Sequence, residues 1–106
     1  MVSNKIKTYI SFAIKSRNIV YGVDDILKSK QVYIIFKSNN LAENSKNKLE
    51  KFILDKDLFI INLTDNDIFD VLQKNAIKVF AITDKNLADA IKKNFTNNVS
   101  NGGNLE

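Results

Sequence analysis

Hydrophobic and polar positions along this chain switch repeatedly between two periods. From Asn4 to Arg17, Ile6, Tyr9, Ile10, Ala13 and Ile14 fall three and four apart, with Lys5, Lys7, Lys15 and Arg17 largely off that face. That spacing predicts an amphipathic helix, with Ser3 or Asn4 as its cap. NIVYG, ending at Gly22, reads as a short extended piece, and VDDILKSK as a helix of about two turns. QVYIIF, from Gln31 to Phe36, is apolar almost throughout, which predicts a strand buried on both faces. Leu41 to Leu54 returns to the helical period. Ala42, Ser45, Leu49, Phe52 and Ile53 point inward; Glu43, Lys46, Glu50 and Lys51 point to water. LFII at 58–61 and VFAI at 79–82 read as further buried strands. Between them, Thr64-Asp65-Asn66-Asp67 resembles a capping box, opening a helix with Ile68, Val71 and Leu72 inside. Thr83-Asp84 caps a last helix with Leu87, Ala90 and Ile91 inside.

Strands that cannot face water, alternating with one-sided helices, require a sheet covered on both faces, an α/β architecture. With 106 residues the chain is one domain's worth. The pattern places that domain at residues 1–95. The Asn/Gly/Ser-rich stretch at 96–106, which includes Leu105 and Glu106, is expected to be a disordered tail. No internal repeat or linker stands out.

Composition narrows the chemistry. The net charge is +4 and the pI about 9.3, a balance suited to an anionic partner such as RNA. Cysteine and histidine are both absent, which removes disulfides, thiolate or imidazole metal sites, and Cys/His or Ser/His catalysis. That fits a reducing, cytoplasmic setting. No apolar run approaches the roughly 20 residues that span a bilayer, so no membrane partner is expected. The opening MVSNKIK lacks a signal-peptide core. Acidic residues gather at Asp24-Asp25, at Asp55 and Asp57, and at Asp65, Asp67 and Asp70. Asp24, Asp25, Asp65 and Asp67 fall in first helical turns, where the dipole favours negative charge. Asp65-Asn66-Asp67 lacks the glycine and distal glutamate of a calcium loop. Only Gly22 of the three glycines lies outside the tail, so no phosphate-cradling loop exists. No enzyme activity, cofactor, metal or small-molecule substrate is expected.

What remains is polar and basic residues at the junctions between elements. These are Arg17-Asn18, Gly22 to Lys28 with Asp24 and Asp25, Ser38-Asn39-Asn40, and Lys74-Asn75 to Lys78. In an α/β sandwich such junctions can converge on one edge. Asn can then pair with base edges and Lys with phosphate. The plainer reading is caps, turns and solvated charge. Asn40, three residues before Glu43, makes an N-cap under either. Among the aromatics, Tyr21 beside Gly22 is the candidate for more than core packing.

The order of parts resembles the kink-turn RNA-binding ribosomal protein family, of the L-seven-Ae and L-thirty-e type, and especially its small bacterial YlxQ-type members. The likeness runs from about Lys5 to Ile91 and rests on ISFAIKSRNIVYG, YIIFKSNNLAENSKNKLEKF and VFAITDKNLADAI. It implies a three-layer α/β/α sandwich with a mixed four-stranded sheet. It also implies non-catalytic binding of structured, kink-turn-like RNA, with ribosomal or translation proteins as neighbours. The family's G-x-N-E-x-x-K motif stands here as Gly22, Asp24, Asp25 and Lys28. Gly22 would let the RNA backbone approach. Lys28, Lys74 and Lys78 would neutralise phosphates, and Asp24, Asp25 and Asn40 would contact base or sugar edges. Arg17, Asn18, Asn39 and Asn75 complete the expected interface. Relatives carry glycines where this chain has Phe69 and Gln73, an Ala-Gly-Lys where it has Ser16-Arg17-Asn18, and a second helix about one turn longer. Those departures motivate an alternative: a protein-interaction module that kept the fold and lost the RNA site.

Overall fold

The computed structural model describes residues 2–54 and 56–103, with side chains described through 95. The elements run α1 (Asn4–Lys15), β1 (Ile19–Tyr21), α2 (Val23–Lys28), β2 (Ile34–Ser38), α3 (Glu43–Ile53), β3 (Phe59–Leu63), α4 (Asp65–Leu72), β4 (Val79–Ile82) and α5 (Lys85–Gly103). The sheet is mixed and four-stranded, in the order β1-β4-β2-β3. β4 is antiparallel to both β1 and β2, while β2 and β3 are parallel, joined through α3.

The two-residue period of the strands sorts their side chains into two cores. Ile34, Phe36, Ile61, Phe80 and Ile82 pack with residues of α1, α4 and α5. Ile35, Val79 and Ala81 pack with Val23 and Ile26 of α2 and Leu49 of α3. The result is the expected three-layer α/β/α sandwich. β2 and β4 are central, so Ile34, Ile35, Phe36 and all four residues of β4 are buried. Phe36 and Phe80 are register partners, and their rings stack at 4.7 Å, 8° from parallel. Such a pair adds about 0.5–1.5 kcal/mol beyond area burial.

Several boundaries differ from the sequence pattern. β2 starts at Ile34, not Gln31; a bond from the Tyr33 N–H to the Ile82 carbonyl (3.0 Å) precedes the ladder. It then continues through polar Lys37 and Ser38, because parallel pairing with β3 extends to Ser38↔Leu63. α3 opens at Glu43 on Ala42, which has no side-chain cap and is exposed rather than inward. The Leu41 N–H instead bonds the Ser38 carbonyl (3.3 Å), closing a turn that delays the helix. In α5 the inward alanine is Ala88, fully buried, while Ala90 is half-buried. Helical backbone in α5 runs to Gly103, across most of the stretch that composition reads as a tail. Side chains past 95, and residues 104–106 with Leu105 and Glu106, lie outside the described residues, as does Asp55. Among the described residues no helix is long and apolar enough to cross a membrane.

Candidate functional site

Strand pairing decides which junctions meet. The Gly22 N–H bonds the Val79 carbonyl (2.9 Å), the Ser38 N–H the Lys78 carbonyl (2.7 Å), and the Asn39 N–H the Leu63 carbonyl (3.0 Å). The exits of β1, β2 and β3 and the start of β4 therefore share one end of the sheet. Gly22 to Asp25, Ser38 to Asn40, the start of α4 and the 74–78 loop gather there.

Arg17 and Asn18 do not join them. Asn18 precedes β1, and its carbonyl accepts from the Thr83 N–H (2.9 Å) at the opposite end of the sheet. Both residues terminate α1. The Asn18 N–H bonds the Ala13 carbonyl (2.8 Å) and the Arg17 N–H the Ile14 carbonyl (3.2 Å), with Arg17 left-handed at φ 61°. That pair of bonds is a Schellman closure. Lys28 is exposed at the far end of α2, about 8 Å along the helix axis from Val23. The expected convergence of four junctions thus holds for three of them, and Lys28 stands off.

At the gathered end, one carboxylate ties three elements together. Asp65, in the first turn of α4, accepts from the Ser38 hydroxyl on Oδ1. Its Oδ2 accepts from the Lys78 ammonium at 2.7 Å and from the Asn40 amide at 3.1 Å. Ser38, 1% exposed, in turn accepts from the Asn40 N–H at 2.9 Å. The Lys78 ammonium, then the Ser38 hydroxyl and the Asn40 amide, hold the Asp65 carboxyl well below the usual carboxylate range. Asn40 is therefore not the cap of α3. Its side chain is turned across the sheet end to a residue 25 positions away. The helix of Asp65 itself is capped by Thr64, whose hydroxyl accepts from the Asp67 N–H at 3.1 Å.

Two grooves flank the 74–78 loop. One, of about 270 Å³, is lined by Tyr21, Gly22, Leu41, Ser45 and Ile77 among others. The other, of about 240 Å³, lies between Asp65, Asn66, Phe69, Lys74 and Asn75. Gly22 has φ 85° and ψ 153°, a backbone state that side-chain-bearing residues avoid. Nothing lies within 4 Å of where its Cβ would be, so the surface over it is open. Lys74 holds its charge over the Tyr21 ring, 5.6 Å from the centroid. Burial raises the Tyr21 phenol above its ordinary value, which leaves it neutral. Asp24 stands 3.7 Å from the Lys48 ammonium of α3, while Asp25, Asn39 and Asn75 are exposed. Gln73 takes the left-handed C-cap of α4 at φ 57° and Phe69 stands 45% exposed. Gln73 compensates by donating its amide to the Asp70 carbonyl at 2.9 Å.

Sequence reasoning passed over Asp65 as helix-dipole decoration, and named Ser38 only as part of a junction. A serine ending a strand buried on both faces was the available signal, since its hydroxyl needs a partner. Among the described residues no group of His, Cys, Asp and Glu is arranged to hold a metal ion.

No family model and no curated protein matches this chain. A solved structure of a protein of unknown function from Bacillus halodurans superposes with a TM-score of 0.73 at 15% identity, over 86% of this chain and 96% of that one. That likeness concerns the fold alone.

Proposed function

We propose that this chain is a non-enzymatic, cytoplasmic RNA-binding protein of the ribosomal-protein type, acting on structured, kink-turn-like RNA in a translation-linked setting. The observation that carries this reading is the open surface over Gly22, flanked by a groove and by the Lys74 charge above Tyr21. A strand exit without a side chain admits a nucleic-acid backbone, and a cation beside it meets phosphate. The net charge of +4 favours the encounter. Exposed polar side chains at the same end, Asn39, Asn40 and Asn75, supply hydrogen bonds for base or sugar edges. Lys28 enters only through an RNA long enough to follow α2.

A gel shift tests it, comparing a kink-turn RNA with a mismatched duplex of equal length at about 0.15 M salt. The kink-turn RNA is expected to bind at least tenfold tighter. Equal binding in the range of about 10⁻⁴–10⁻⁶ M, the level of charge-driven contact, would overturn the reading. One observation favours a protein-interaction module instead: Lys78 is already neutralised by Asp65. A pull-down from cell extract whose partners survive ribonuclease would support that alternative.

A further inference from the structure

We propose that Asp65 is the positioning residue of this edge, and that it sets which base groups the edge can read. This inference rests on the RNA-binding reading above. An ionised carboxylate can only accept hydrogen bonds, so the Asn40 amide must turn its nitrogen toward Asp65. The contact is Nδ2 to Oδ2 at 3.1 Å. The Ser38 hydroxyl, itself bound to Asp65, holds the Asn40 backbone N–H at 2.9 Å. With its backbone N–H and one amide hydrogen held, exposed Asn40 is left its Oδ1 as an acceptor in a fixed orientation. The same carboxylate oxygen draws in the Lys78 ammonium at 2.7 Å, which leaves phosphate contact to Lys74.

Such an acceptor matches the exocyclic amines of bases outside Watson–Crick pairs: adenine N6, cytosine N4 and guanine N2. It mismatches edges that show only acceptors, such as guanine O6 and N7 or uracil O4. Asp65 thus gives the edge a preference for amino-bearing bases and withholds one cation from the phosphates. Replacing it by asparagine, the same shape without charge, undoes both. The Asn40 amide is free to turn over, and Lys78 is released.

Wild type, Asp65→Asn and Asn40→Ala are titrated with three probes. These are the kink-turn RNA, copies with single guanosine-to-inosine or adenosine-to-purine-riboside changes in the internal loop, and poly(U) over a range of salt. In wild type, removing the amine at one position is expected to weaken binding about tenfold. Both variants reduce that penalty to less than about twofold. For poly(U), Asp65→Asn steepens the salt dependence by about 0.7 in log–log slope, one added phosphate contact on a single strand, while Asn40→Ala leaves it unchanged. Simple loss of structure would not steepen that slope. A full-sized amine penalty in Asp65→Asn, or an unchanged poly(U) slope, overturns the proposal. Wild type binding kink-turn RNA and mismatched duplex equally overturns the underlying reading and the base preference with it. The poly(U) slopes then still decide whether Asp65 withholds Lys78.

Discussion

The two ends of the sheet use similar residues for different purposes. At the end where α1 passes into β1, Arg17 and Asn18 close a helix through backbone hydrogen bonds. Asp84 caps α5 there by accepting from the Leu87 N–H at 2.9 Å. Apart from the bond from the Thr83 N–H to the Asn18 carbonyl, which continues the strand pairing, these closing and capping bonds are made within a few residues of the donor. At the other end, Ser38, Asn40, Asp65 and Lys78 satisfy one another across three elements, and Gly22 leaves an open surface beside them. The lesson is about range. Locally satisfied polar residues punctuate the chain, whereas polar residues that must reach across the fold mark an end where several segments are held in a fixed arrangement.

This contrast can be broken or sharpened by substitution. The largest effect should come from the core that both ends share. Phe80→Ala removes the stack on Phe36 and is expected to cost about 3–5 kcal/mol, read as a fall in the urea midpoint. Next comes the backbone at the gathered end. Gly22→Ala meets no steric contact, so its cost is purely conformational, about 1–3 kcal/mol in unfolding free energy. A smaller effect of opposite sign is expected at the start of α3. Ala42→Ser supplies the missing cap and should stabilise by about 1 kcal/mol, visible as a raised Tm. At the far end, Arg17→Gly relieves a left-handed residue and should be neutral or stabilising by up to about 1 kcal/mol. Opposite signs for the two glycine substitutions would confirm that one left-handed site needs glycine and the other merely tolerates its absence.

The smallest effect is on pH dependence. Lys78 holds the Asp65 carboxyl below its ordinary value, so the folded chain binds that proton less readily than the unfolded chain. The stability from this group is present above the ordinary carboxylate pKa of about 3.9 and fades as pH falls toward the depressed folded value. Because the carboxylate is 39% exposed, solvent screening keeps the contribution small. Asp65→Asn should flatten the acid limb of a urea-midpoint profile below about pH 4, and leave the profile above it level with wild type in slope.

Much of the fold was readable in the sequence because its signals are local. The change from a period of 3.6 to near-continuous apolar runs marked the central strands, and Ser3, Thr64 and Asp84 cap the helices that follow them. The inward residues of α1, Ile6, Ile10 and Ala13, are buried as their spacing indicates. Strand ends were less readable. β2 runs into Lys37 and Ser38 because a neighbouring strand pairs with them, and that neighbour lies more than 20 residues away. The site was readable only in part. Its residue types stood out at the junctions, but which junctions meet depends on strand order. Arg17 and Asn18 enter β1 from the wrong end to reach Gly22, and no local pattern says so. Asn40 was misread as a cap for the same reason, since the carboxylate that claims its amide is Asp65.

The most direct test of this difference between the ends is a two-dimensional NMR titration of the 15N-labelled chain with the kink-turn RNA, beside the mismatched duplex as control. The account predicts RNA-specific shifts at Gly22, Asn40 and residues 74–78, with Arg17, Asn18 and Thr83 unmoved. Shifts centred on Arg17, Asn18 and Thr83, or the same weak shifts with both RNAs, would contradict it.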